Sequence, residues 1–362
     1  MTASADAYTI RPLGNVPEGP LRSLGRQHGR TAMRHRMVGL LAVVVVLGMI
    51  VVWAPGAAAV DPLTIKFAHS GSQTHPYSVG IQKLGPILEK NSGGAIKLQV
   101  FCCAQLGSER ELAEGTRLGT IHMTSVAGEG ALPAWVPELQ LFGLPFLIRD
   151  RAHAYKVLDG PIGKELEAKL SAQGFLVLGW WELGFRNMTT KSTPIQAPTD
   201  LKGLKMRVQE AKVWLGFMRA LGAIPTPIPF GELYNALQQG VVDGEENPIV
   251  TIVSMKFYEV QKQVGLTEHT YTPLPVLASK KWWDGLKPEQ QKIIAESVRA
   301  SVAEQRKTVA AQVDEGVKFL KGQGVNITTV DKAKFIEATK DVSSLIADQV
   351  SPDLVQRIRD TK

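Results

Sequence analysis

Two arginines stand where an arginine needs a reason. Arg207 lies in LKMRV (204–208), a run that reads as a strand, between Met206 and Val208. Arg186 lies in WWELGFRNMTT (180–190), where Glu182 is the only other charge. A guanidinium inside a core strand is costly unless it is paired. One solution is an internal salt bridge, from Arg207 to Glu210 or Asp243 and from Arg186 to Glu182. The other is a ligand carboxylate, which a guanidinium binds through two parallel hydrogen bonds. The residues alone leave both open.

Other chemistry is sparse. There is no GxSxG elbow, no P-loop, and no GxGxxG opening a helix after a strand. Beyond residue 59 there are five histidines, His69, His75, His122, His153 and His269. None forms an HxxxH pair, and each is expected to be structural or exposed. Asp243, Glu245 and Glu246 cluster, but a solvated turn explains them as readily as acid–base work. Trp180, Trp181 and Leu183 read as core residues that could also shape a pocket. The only cysteines, Cys102 and Cys103, are adjacent. That excludes a disulfide-rich scaffold and a Cys-based zinc site. Adjacent cysteines pair only with strain, so two small semi-buried residues are expected, with a vicinal disulfide or redox role as the alternative.

The elements that hold these residues alternate. LTIKFAH (63–69), AIKLQVF (95–101) and HMTSVA (122–127) read as strands, separated by helical stretches over 77–90 and 108–118. This β-α-β-α-β order predicts a parallel α/β sheet. Residues 151–172 read as one amphipathic helix, followed by a buried strand at 174–181 and a more polar one at 183–190. Glu210–Leu221 and Gly231–Gln239 read as helices, and 223–229, 241–246, 265–271 and 273–279 as extended. From Pro288 to about Gly322, apolar residues recur at helical spacing with Gly316 the only breaker. Such a helix is roughly 50 Å long, more than one lobe is wide, so it is expected to touch two.

Length and composition agree with this. The chain has 362 residues, 44% hydrophobic and 21% charged. That is ordinary globular composition, enough for about two domains. Six arginines against Asp6 and Glu18 give residues 1–59 a net of +4, leaving +3 of the chain's +7 to residues 60–362. No clustered basic face suggests nucleic acid. A basic stretch (26–36), an apolar run (37–54), Pro55-Gly56 and Ala57-Ala58-Ala59 make a secretory signal pattern, with cleavage expected after Ala59. The apolar run is long enough to serve as an uncleaved anchor instead. Either outcome puts residues 60–362 outside the cytoplasm. Residues 1–32 are expected to be dispensable, with Met33 and Met37 as alternative starts.

The stretch from Gly184 to Leu286 resembles the periplasmic solute-binding subunits of TRAP (tripartite ATP-independent) transporters, the C4-dicarboxylate-binding protein family. The resemblance rests on GFRNMT, PTDLKGLKMRV, LGAIPTPIPFGELYNALQQGVVDGEENP and FYEVQKQVGLTEHTYTPLPVLAS. FAHSGSQTHPYSVG, QVFCCAQLGSERELAEGTRLGTIHMT and VPELQLFGLPFLIRD extend it over nearly all of 60–330. It implies an α/β clamshell of two lobes, 60–183 with 272–311 and 184–271 with 312–362, crossed by the long helix. It implies that Arg207 receives the ligand carboxylate and that Arg186, Asn247 and Phe230 line the same cleft. Glu129 falls one position from a ligand-contacting acid of the family, and Trp181 is a further pocket candidate. The Cys102-Cys103 pair stands where many relatives have Pro or Gly.

The function implied is extracytoplasmic capture of a small organic carboxylate, a C4-dicarboxylate by the family label, and its delivery to integral membrane permease subunits. A ligand-sensing module for a signalling receptor is the alternative, and a periplasmic enzyme a more distant one. No cofactor and no nucleic acid are expected, and a monomer is the default. The sequence leaves open a metal bridging ligand and protein.

Overall fold

The structure, a computed structural model, describes residues 60–362. The apolar run 37–54 and the cleavage position after Ala59 lie outside these described residues. Among the described residues, no helix is long and apolar enough to cross a membrane.

The first part of the fold follows the alternation of the sequence. β1 (Leu63–Ala68), α1 (Pro76–Asn91), β2 (Ile96–Phe101), α2 (Glu109–Leu118) and β3 (Met123–Ser125) form two crossover units. β1 pairs in parallel with both β2 and β3. α1 begins at Pro76, where the missing N–H costs nothing, and His75 caps it by accepting from the Tyr77 amide. α2 opens with a capping box, in which Ser108 accepts from the Glu111 amide and Glu111 accepts from the Ser108 amide.

The single helix expected over 151–172 is two, α3 (Arg151–Asp159) and α4 (Pro161–Ala172). Pro161 has no N–H to continue the ladder. Gly160 is needed at the break, because a Cβ there would lie 2.4 Å from the Lys156 carbonyl oxygen.

The two strands expected next are one, β4 (Phe175–Thr190), 16 residues long. Its first part runs antiparallel to β9 (Tyr271–Ser279). Its last part runs antiparallel to β7 (Gly244–Pro248) and β8 (Gln263–Leu266). Register shifts between Val177 and Gly179 and between Glu182 and Gly184 bend it on the way. One strand therefore serves two sheets. Both are mixed, not wholly parallel: β9 runs against β3 and β4 in one, and β4 runs against β7 and β8 in the other. β5 (Lys205–Val208) and β6 (Ile224–Pro227) complete the order β2-β1-β3-β9-β4-β7-β5-β6, and β10 (Asn326–Thr329) joins β8. The prolines of β6 sit on an edge strand, where a missing donor is tolerated.

The remaining helices are α5 (Lys212–Ala220), α6 (Leu233–Gln238), α7 (Ile249–Ser254), α8 (Lys280–Trp283), α9 (Pro288–Gly322), α10 (Lys332–Thr339) and α11 (Pro352–Asp360). α9 has 35 residues and the extent its spacing predicts. It packs on α1 and the start of β4, then on α7 and β10. Val298 joins the core around Phe67 and Trp181, and Leu320 joins the core around Phe257 and Val264. The fold is thus a two-lobed α/β clamshell with a long helix across both lobes. The C-terminal segment closes back on the chain, with Ile358 O 2.8 Å from His153 Nε2.

Candidate ligand-binding cleft

Strand alternation decides which way each cleft residue faces. On β5, Met206 and Val208 point into the core with Trp214 and Phe217. Arg207 points the other way and is still only 3% exposed. Its Nε donates to Ile228 O at 2.9 Å, and its guanidinium lies 6.0 Å from the centre of the Phe230 ring. Among the described residues, no carboxylate lies within ion-pairing distance of it, neither Glu210 nor Asp243. Asp243 instead accepts from the Lys205 amide at 2.8 Å. Burial pulls the Arg207 pKa below the usual guanidinium range, with Glu246 opposing.

Arg186, on β4, has the opposite company. Its Nε and Nη2 bind the two carboxylate oxygens of Glu246, the second at 2.9 Å. Nη2 also donates to Glu246 O, and Nη1 donates to Thr272 Oγ1 at 3.1 Å. Trp214 lies under the guanidinium at 5.3 Å. Burial works against the Glu246 charge, but Arg186 and His269 outweigh it and hold the carboxyl below its usual range. Glu182, the partner anticipated for Arg186, accepts instead from Arg151, Tyr155 and Tyr271.

Glu245 and Glu246 are therefore not a solvated turn. They lie on β7, both wholly buried, on opposite faces. Glu245 accepts from Thr189 Oγ1 at 2.8 Å and from Asn247 Nδ2 at 2.6 Å. Burial pushes its pKa up to about 7 against those two hydrogen bonds. Glu129 sits behind the cleft. Its Oε1 accepts from Thr272 Oγ1 at 2.5 Å and Gln209 Nε2 at 3.1 Å, and lies 3.9 Å from Arg186 Nη1. Its Oε2 is buried with no hydrogen-bond partner among the described residues. Burial raises its pKa to about 7, with Arg186 opposing.

Arg186, Arg207, Phe230 and Asn247 come together around one cavity with His75, Tyr77, Glu109 and Gln209. That cavity measures about 20 Å³, room for about one water and no organic acid. The two lobes meet across it. Contacts that hold them include Ser72 Oγ to Ser254 O at 2.9 Å, His75 Nε2 to Thr251 Oγ1 at 3.3 Å, and the Gln209–Glu129 bond. A larger groove of about 660 Å³ runs elsewhere, between α4, α9 and the start of β4. Of the charges lining it, Glu167 takes Lys164 at 2.7 Å and the Trp180 indole at 3.0 Å, Asp159 takes Arg306, and Arg299 donates to Ala295 O.

Trp181 lies outside the cleft. It is fully buried, stacks on Phe67 at 6.0 Å and donates to Ser301 Oγ at 3.0 Å. A long apolar strand has two buried faces, and only one of them reaches a cleft. His75, Tyr77, Glu109 and Gln209 were not singled out in the sequence. The one local signal was their position, each within a few residues of the start of α1 or α2 or the end of β5. Cys102 and Cys103 are both free, and Cys103 is exposed with a φ of 61°. Among the described residues, no three His, Cys, Asp or Glu side chains cluster as metal ligands.

Two α/β lobes that meet over a cavity lined by two buried arginines have the architecture of a solute-binding protein. The chain belongs to the bacterial extracellular solute-binding protein family 7 (DctP), whose pattern it matches over residues 67–349. This is a family of periplasmic solute-binding proteins and not of enzymes. The chain is 37% identical over 276 residues to the 2,3-diketo-L-gulonate-binding periplasmic protein YiaO of Escherichia coli, 76% of this chain and 84% of that one. A TRAP periplasmic solute-binding protein from Polaromonas sp. JS666, bound to D-erythronate, superposes with a TM-score of 0.80 at 36% identity, over 83% of this chain and 99% of that one. Another, from Sulfurospirillum deleyianum with bound succinate, gives 0.80 at 31%, over 83% and 100%.

Proposed function

We propose that this protein captures a small organic carboxylate outside the cytoplasm and hands it to membrane permease subunits of the TRAP type. The observation that carries the reading is Arg207, buried in the cleft with no carboxylate of its own. A ligand carboxylate would complete an ion pair whose desolvation cost folding has already met. In this reading Arg207 takes the carboxylate, Asn247 and Phe230 bound the ligand, and Arg186 and Glu129 stiffen the wall behind it. The lobes would move as 60–183 with 272–311 against 184–271 with 312–362, with β4, β9 and α9 as the connections between them. Ligand contacts to both lobes would favour the closed form, since a ligand shifts an equilibrium by its differential affinity. Residues 1–59 would direct export, with cleavage after Ala59, and the carrier would act as a monomer.

The test is calorimetric titration of the purified protein with a panel of small carboxylates, alongside Arg207→Ala. Binding by the native protein and its loss in the variant is the expected result. Equal binding by both would overturn the assignment of Arg207. Reconstituted uptake that needs both this protein and the neighbouring permease subunits tests delivery.

A further inference from the structure

Inside the cavity one cation has no ion-pair partner among the described residues, and several of the other polar groups there can accept hydrogens. Arg186 lines the cavity but is consumed by Glu246. His75 adds no cation facing the ligand, since its Nδ1 accepts from the Tyr77 amide at 3.4 Å and its Nε2 faces Thr251 Oγ1. Arg207 is thus the cation left for a ligand inside the cavity.

Glu109 lines the same space. Its carboxylate is held by three donors: Ser70 Oγ at 2.8 Å, Tyr77 Oη at 2.5 Å and the Ala127 amide at 3.2 Å. Three donors and no cation within ion-pairing distance describe a carboxylate kept as an acceptor. A carboxylate has about four lone-pair sites, so one remains for a ligand. Tyr77 has spent its hydroxyl hydrogen on Glu109 and can only accept from a ligand. Asn247 gives one Nδ2 hydrogen to Glu245 and keeps the other, and its Oδ1 accepts from no described residue.

We propose that the ligand is a small polyhydroxylated monocarboxylate, an aldonate-type sugar acid, and that Glu109 is the residue that selects it over a dicarboxylate. The inference rests on the reading that Arg207 receives a carboxylate. A molecule with one carboxylate and several hydroxyls matches one guanidinium fork facing a set of acceptors. A second carboxylate does not: it brings no hydrogen to Glu109, Tyr77 or Asn247, and it meets the Glu109 charge in a desolvated space. Besides Arg186 and Arg207, the one arginine lining the cleft among the described residues is Arg110, exposed at its outer mouth, where Glu210 lines the same opening.

The matched pair that tests this is D-erythronate against the four-carbon dicarboxylates succinate and tartrate, with galactonate against galactarate as the six-carbon pair. Each is titrated calorimetrically into the purified protein. The monocarboxylate is expected to bind at least about 10-fold tighter within a pair, the range of one hydrogen bond to a charged group. Glu109→Gln keeps the shape, and its unliganded melting temperature reports that it folds. It is expected to weaken the aldonate about 10- to 100-fold and to narrow the gap to the dicarboxylate.

A dicarboxylate that binds as tightly as its partner, or a Glu109→Gln variant that discriminates as the native protein does, would overturn the proposal. If that dicarboxylate binding is lost in Arg207→Ala, the carboxylate clamp stands and only the selection fails. If no acid binds, or if Arg207→Ala binds every acid as the native protein does, the clamp fails and the selection with it.

Discussion

Arg186 and Arg207 are both buried and both line one cavity, yet they have opposite electrostatic company. Arg186 makes a two-pronged pair with Glu246 and is held from behind by Thr272 and Trp214. Arg207 has one backbone carbonyl and the face of Phe230. The first arrangement is complete without a ligand. The second is a buried charge with no ion-pair partner among the described residues. The same side chain is thus ion-paired in one strand and without an ion pair in the next but one, and what differs is the carboxylate across the strand.

The sharpest way to break this comparison is to remove each guanidinium. Arg186→Ala leaves Glu246 buried with His269 as its remaining partner, and is expected to cost about 3–5 kcal/mol of stability, read from denaturant midpoints. Arg207→Ala should cost far less stability, while weakening carboxylate binding by about 2–5 kcal/mol, read by calorimetry. If the two variants exchanged these phenotypes, the division of labour would be wrong.

The carboxylates behind the cleft give a smaller effect that depends on pH. Glu129 is raised in the fold to about 7 from a reference of 4.5. The folded protein therefore holds a proton there that the unfolded chain has released. That contribution to stability is full below about 4.5 and is lost as pH rises through about 7, by at most about 1.4 kcal/mol per pH unit. Several buried histidines are shifted the other way, His69 to about 4, so the total curve mixes signs. The difference curve between the native protein and Glu129→Gln isolates the glutamate and should fall across that window. A flat difference would show that Glu129 is ionised throughout.

Trp181 offers the smallest test. Trp181→Phe loses the hydrogen bond to Ser301 and some packing on Phe67 and Gly80. It is expected to lower stability by about 1–2 kcal/mol and leave ligand affinity unchanged. A clear change in affinity would return Trp181 to the cleft wall.

Much of the fold was legible. The extent of α9 followed from apolar spacing uninterrupted from Pro288 to Gly322, and the crossover units from strands and helices divided by Gly and Asn. The break at Gly160 was not seen, because the apolar spacing carries on through it while the backbone cannot. β4 was read as two strands because its polarity changes midway, at the point where it passes from one sheet to the other.

The amino-acid sequence by itself determined that two arginines would be buried in strands and need anionic partners, since an apolar neighbourhood and a strand period leave a guanidinium no exit to water. Only the tertiary structure decided which partner each would have. Glu246 lies 60 positions from Arg186 along the chain, and nothing local marks it as the mate of Arg186 or as absent from Arg207. Charge compensation in a core is set by which strands pair and in what register. That pairing is a property of the assembled sheet, and it leaves Arg207 without an ion-pair partner among the described residues.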